Sequence, residues 1–168
     1  QDGGVLCLAK HFPGHGDTSL DSHLTLPCVD KPRDELERME LAPFRAAIAD
    51  GVPAIMTAHI LFPALDDSGV PATMSRRIVT GLLRGEMNFT GLVTSDCGAI
   101  NDFFKAGGHR TFPDDPVSAT ANAVRTGTDL ECGSSYKHLL DAVAEGKISE
   151  DDIDVSLRRL LVARFRLG

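Results

Sequence analysis

The feature that most constrains this chain is an alternation of short apolar segments with helical patterns along its 168 residues. Gly4-Val5-Leu6-Cys7-Leu8-Ala9 reads as a buried strand that ends at Lys10-His11. Val52 to Ala58 reads as a second strand ending at His59, and Gly91 to Ser95 as a third ending at Asp96. Asp129-Leu130-Glu131-Cys132 is a weaker fourth. Apolar runs without strict alternation suit strands covered on both faces, as in parallel sheets. Between them, Asp34 to Asp50 has a helical apolar face that Pro43 splits in two. Thr73 to Met87 is a further helix with Ser75 as N-cap, and Pro116 to Arg125 opens on proline and closes at Gly127. Tyr136 to Glu145 is a short helix. Ser149-Glu150-Asp151-Asp152 resembles a capping signal before Ile153, Leu157, Leu160, Leu161 and Phe165 at helical spacing. The order predicts an α/β fold of βαβ units with a parallel sheet. Chemistry in such folds gathers at the carboxyl ends of the strands, where Lys10, His11, His59 and Asp96 fall.

Charge and composition narrow the partners. The net charge of -7 argues against a polyanionic partner, and the lack of Trp with a single Tyr leaves few platforms for nucleobases. No apolar run approaches the roughly 18 residues of a membrane span. No nucleic-acid or membrane partner is therefore expected. Cys7, Cys28, Cys97 and Cys132 form no C-x-x-C pair, which disfavours a structural zinc site; their even number is compatible with disulfides, but the default reading is small buried hydrophobes of a reducing compartment.

The densest chemical cluster is Lys10-His11-Phe12-Pro13-Gly14-His15-Gly16-Asp17, followed by Asp21-Ser22-His23. Pro13, Gly14 and Gly16 preclude a helix through His11 and His15, which disfavours a metal site. Asp21 and His23 lie two apart, so on extended backbone the carboxylate can hydrogen-bond one ring nitrogen and leave the other free for proton transfer. The alternative is an Asx-type turn with a solvent-facing histidine. Asp96 is either a nucleophile at a strand end or a cap for the following helix or turn. His59 reads as a supporting group.

Together these groups suit displacement at an acetal carbon, with His23 protonating the departing oxygen and Asp96 attacking from the other face. Direct attack gives retention, with the two groups roughly 5 to 6 Å apart in the closed state. Lys10 and His11 would bind ring hydroxyls.

Lys10 to Gly16 followed by Asp21-Ser22-His23 resembles the signature of glycoside hydrolase family 3. More narrowly it is similar to the bacterial β-N-acetylglucosaminidase branch, which takes part in peptidoglycan recycling. Leu41 to Ile48, Ile55 to His59, Pro71 to Ser75 and Gly91 to Asp96 match that branch in order and spacing. The resemblance implies a retaining exo-glycosidase with a (β/α)8 TIM-type catalytic domain, a carbohydrate substrate, and neither metal nor cofactor. It implies Asp96 as nucleophile, His23 as acid/base with Asp21 as its dyad partner, and Lys10 and His11 as substrate-binding residues. A histidine repels anions less than a carboxylate would, so phosphate can compete with water as acceptor. The tail, from Asp96-Cys97-Gly98-Ala99-Ile100 through Gly127 to Gly133, is more like the β-xylosidase and β-glucosidase members. The first branch suggests the cytoplasm and the second suggests export. A barrel takes about 250 residues, and this chain opens at Gln1 with about four βα units. It therefore reads as a fragment, the C-terminal half of a barrel. The unpaired strand edges and apolar faces of such a half call for self-association or for the missing half.

Overall fold

Leu8–Phe12, Ala54–Thr57 and Leu92–Ser95 form strands β1, β2 and β3 of a parallel sheet in the order β1–β2–β3. The computed structural model describes residues 4–22, 25–106, 108–109, 111–112 and 115–168. Register runs from Leu8↔Ala54 through Ala54↔Leu92 to Thr57↔Ser95, with one irregularity between Ala9 and Phe12. Each strand is followed by helices, as parallel neighbours require a crossover. The result is a parallel α/β arrangement, the architecture expected of a portion of a TIM-type barrel.

After β1 come α1 (Arg33–Arg38) and α2 (Ala42–Ala49). Pro43 separates them as expected, because it sits in the first turn of α2 where its missing N–H costs nothing. After β2, a 3-10 turn at Ala72–Met74 leads into a π-helix, Arg77–Glu86. One continuous helix was expected there. Ser75 Oγ nevertheless caps as foreseen, accepting the Ile78 N–H at 3.1 Å. After β3 come α3 (Ala99–Asp102) and α4 (Pro116–Thr126). Asp115 caps α4 by accepting from Ser118 N–H, and Gly127 closes it at φ +107°, a conformation costly for any side chain. The helix foreseen over Tyr136 to Glu145 divides into a 3-10 turn at Ser135–His138 and α5 (Leu139–Ala144). The last helix, α6 (Glu150–Leu167), carries the full capping box, Ser149 and Asp152 each accepting the other's backbone N–H.

Two strands differ from the sequence reading. β1 begins at Leu8 instead of Gly4, so Lys10 and His11 lie within the strand and not beyond it. A short apolar run marks that a strand exists but not where pairing starts; β2 decides that. The fourth segment is reduced to a single parallel bridge, Thr94↔Leu130: beyond it the Cys132 N–H donates to the Ser95 hydroxyl instead of a β3 carbonyl.

The main core lies between the sheet and its helices, with Phe12, Leu36, Leu41, Phe44, Ile55 and Val93 all buried. A second cluster, including Met74, Ile100 and Phe103, packs α3 against α4. Beside it, Asp66 is buried and accepts from Ser68 and Ser75. Burial pushes its carboxyl up, but the Ser68 and Ser75 hydrogen bonds win and hold it below the ordinary 3.8. Its contribution to stability is therefore complete above about pH 4 and lost as pH falls through the lowered folded value. Urea midpoints between about pH 5 and pH 2 are expected to fall more steeply for the native chain than for Asp66→Asn.

The apolar positions of α6 are less covered than the spacing suggested. Leu157 and Leu161 are exposed and Phe165 is 82% exposed. Among the described residues β1 pairs only with β2, leaving its other edge open.

Candidate active site

Asp96 follows β3 directly and is buried, with one carboxylate oxygen, Oδ1, accepting the Cys97 N–H at 2.8 Å. Its Oδ2 faces two imidazoles: His11 Nε2 at 3.5 Å, from β1, and His59 Nε2 at 3.8 Å, just past β2. Three successive strands therefore aim one polar group each at a single point, because parallel strands in register deliver their carboxyl ends side by side. Asp96 is not the cap of α3, whose N-cap is Gly98 in the left-handed region at φ +76°. Lys10 is exposed on the alternate face of β1, next to His11. The Lys10–His11 and Phe12–Pro13 peptide bonds are cis.

Ser22 was not singled out by sequence, yet it joins the strand-end groups together. It is 3% exposed, and its hydroxyl lies 2.7 Å from His59 Nε2 and 3.1 Å from His15 Nε2. A hydroxyl has one proton, so one of these rings accepts it and the other donates. The Ser22 carbonyl can only accept, so His109 Nε2 carries a proton and donates to it at 2.8 Å. His109 comes from the loop after α3 and also meets the His59 ring edge to face, with centroids 5.4 Å apart. Removing the Ser22 hydroxyl takes a hydrogen-bond partner from the buried His59 ring and from the half-buried His15 ring. Ser22→Ala is expected to lower unfolding free energy by about 1–3 kcal/mol in urea titrations, with an unchanged m-value.

Of the sequence candidates, the structure brings His11, His59 and Asp96 together. Asp21 is exposed, and its carbonyl accepts from Thr25 N–H. His23, the expected acid/base, lies outside the described residues. The 14–17 loop is fastened by Lys31, which bonds Asp17 at 2.8 Å and Glu40 at 2.7 Å and is held protonated above its ordinary range by those two carboxylates. A cavity of about 650 Å³ opens beside β1, walled by Lys10, His11, His15, Lys31, Glu40 and Phe44. Among the described residues, no three His, Cys, Asp or Glu side chains form a group fit to hold a metal ion. No helix among them is long and apolar enough to cross a membrane.

The cysteines require a correction. Cys97 and Cys132 are joined in a disulfide, while Cys7 and Cys28 are free and exposed, so none of the four behaves as a small core hydrophobe. The pairing depends on the Asp96 loop meeting the 130–132 segment, 35 residues away, which spacing alone does not reveal.

Known proteins add independent information. The model of the glycosyl hydrolase family 3 N-terminal domain matches residues 1–163. A "Beta-hexosaminidase A" from Pseudoalteromonas piscicida is 37% identical over 98% of the chain, which spans 30% of that relative. A "Xylan 1,4-beta-xylosidase" from Xylanibacter ruminicola is 36% identical over 95% of the chain and 18% of the relative. Among solved structures, a family 3 β-N-acetylglucosaminidase from Paenibacillus superposes with a TM-score of 0.85 at 44% identity, covering 99% of this chain and 32% of that one. The chain thus spans about a third or less of these proteins.

Proposed function

Since the chain belongs to glycoside hydrolase family 3, we propose that it supplies the catalytic centre of a retaining β-N-acetylhexosaminidase. In this reading Asp96 attacks the anomeric carbon and forms a glycosyl-enzyme intermediate. His23 protonates the leaving oxygen and then activates water, and Asp21 orients its ring. Lys10 and His11 bind ring hydroxyls, and His11 and His59 hold the attacked face polar. One observation carries this reading: Asp96 sits buried at the end of β3, with a backbone N–H on one oxygen and two imidazoles facing the other. A terminal amino sugar of peptidoglycan is the substrate class that the His23-bearing loop favours. The open edge of β1 and the bare face of α6 are covered by the remainder of a barrel or by a second copy of the chain. A disulfide persists in oxidising compartments, so Cys97–Cys132 moves the expected location away from the cytoplasm.

The test is nitrophenol release from the β-N-acetylglucosaminide, β-xyloside and β-glucoside, with the product anomer followed by proton NMR. Preference for the first sugar and initial release of the β-anomer support the reading. Preference for xyloside or glucoside transfers it to the second branch, which the similarity of residues 96–133 to those enzymes favours. A folded chain that cleaves none of them is a barrel piece requiring its complement. Repeating the assay in phosphate, with sugar 1-phosphate as the product sought, tests whether phosphate competes with water.

A further inference from the structure

The residues around Asp96 are tied, one after another, to a single segment on the neighbouring loop. Ser95 N–H donates to the Leu130 carbonyl at 3.0 Å, and Ser95 Oγ accepts the Cys132 N–H at 3.1 Å. Cys97 is bonded covalently to Cys132, and Gly98 N–H donates to the Cys132 carbonyl at 2.7 Å. Asp96 lies in the middle of this ladder, and the Cys97 N–H donates to its Oδ1. The far side is itself anchored, since Glu131 accepts from the Ser135 and Tyr136 N–H groups and Ser135 Oγ donates to Asn101 Oδ1. After Cys97 the backbone turns through Gly98 at φ +76°, where the chain has no side-chain restraint of its own. Residue 97, which supplies the backbone donor to the carboxylate, is held by this disulfide together with the turn closed by Ala99 N–H on the Asp96 carbonyl and the hydrogen bonds of Ser95 and Gly98 to residues 130–132.

We infer that the Cys97–Cys132 disulfide is a positioning element for Asp96, so that nucleophilic attack depends on the oxidised state of this pair. The inference rests on the function proposed above for Asp96. A carboxylate that must approach an anomeric carbon in line loses most of its advantage when displaced by about 1 Å. The bond is open to reductants, because Cys97 is exposed and Cys132 is half-buried. A water-soluble phosphine supplies the reducing equivalents: it takes the oxygen of one water as its oxide, and the two sulfurs leave as thiols carrying that water's protons.

Three forms of the chain decide the matter: oxidised, phosphine-reduced, and Cys97→Ser/Cys132→Ser. Each is assayed for kcat and KM, melting temperature, and exchange of the residue-97 amide by NMR, with Asp96→Asn as reference. The expected result is a kcat lower by about tenfold or more in the reduced and variant forms, with KM within about threefold. Reoxidation restores the native chain and leaves the double variant unchanged. The residue-97 amide, protected by Asp96 in the oxidised form, exchanges at least about tenfold faster after reduction. Equal kcat in all three forms, while Asp96→Asn is inactive, overturns the inference. So does peptide mapping that finds both cysteines free in air-oxidised protein. If Asp96→Asn retains full activity, the functional reading fails instead; if the oxidised chain cleaves none of the sugars, it is a barrel piece requiring its complement. The amide exchange then still decides whether the disulfide positions Asp96. If the double variant does not fold, the reduced native chain below its melting temperature gives the same comparison.

Discussion

Asp96→Asn is expected to lower kcat on the preferred aryl glycoside by about 10⁴-fold or more, with KM changed far less. The amide keeps the volume and can still accept the Cys97 N–H on its oxygen, so the fold and the ring-binding groups stay in place. What disappears is the anionic oxygen that faces His11 and His59, and with it the covalent intermediate. Intact-protein mass spectrometry after exposure to a slow substrate with a good leaving group is expected to show a glycosyl adduct for the native chain and none for the variant. A variant retaining more than about one hundredth of native kcat removes Asp96 from the role. Equal melting temperatures for the two proteins keep the comparison on chemistry.

The largest expected effect on stability lies away from that site. Asp129 has no exposed side-chain surface and sits between Arg84 Nη2 at 2.7 Å and Arg159 Nη1 at 2.8 Å. It also accepts the Val93 N–H at 2.9 Å, which joins β3, the π-helix and α6 at one carboxylate. Burial pushes the Arg84 guanidinium down from its ordinary value, and Asp129 opposes that while Arg159 adds to it. Asp129→Ala therefore leaves a mostly buried cation beside a second cation with no counter-charge. The expected cost is about 3–5 kcal/mol, read from urea unfolding, with a melting temperature lower by roughly 10 °C. Removing both charges with Arg84→Met/Asp129→Leu is expected to recover much of that loss, because the uncompensated charge is what costs most. A single variant within about 1 kcal/mol of native would show that water reaches Arg84 freely.

Local chemistry explains what could be read along the chain. The proline of α2, the Asp115 cap with Pro116, the Gly127 stop and the Ser149–Asp152 box all act within about four residues, and each does what its neighbours require. The existence of β1, β2 and β3 was equally legible from apolar runs, and strand-end addresses led to His11, His59 and Asp96. Strand limits were not. Leu8–Phe12 is set by its pairing with Ala54–Thr57, so Lys10 and His11 fall inside β1. The fourth segment is limited to one bridge because, beyond Leu130, the Cys132 N–H donates to the Ser95 hydroxyl and not to a backbone carbonyl of β3.

The order of βα units, the positions of the helix caps and the family signature at Lys10 to Gly16 follow from residues near one another in sequence. They follow because hydrogen-bonded turns and period-matched apolar faces are short-range. Which cysteines pair, which carboxylate faces two imidazoles, and why Ser22 is buried among three histidines depend on loops brought together across the sheet. Ser22 meets His59 from 37 residues away and His109 from 87, and Cys97 meets Cys132 from 35. Those meetings are set by strand register and crossover packing, which act between elements and leave no local mark on the chain.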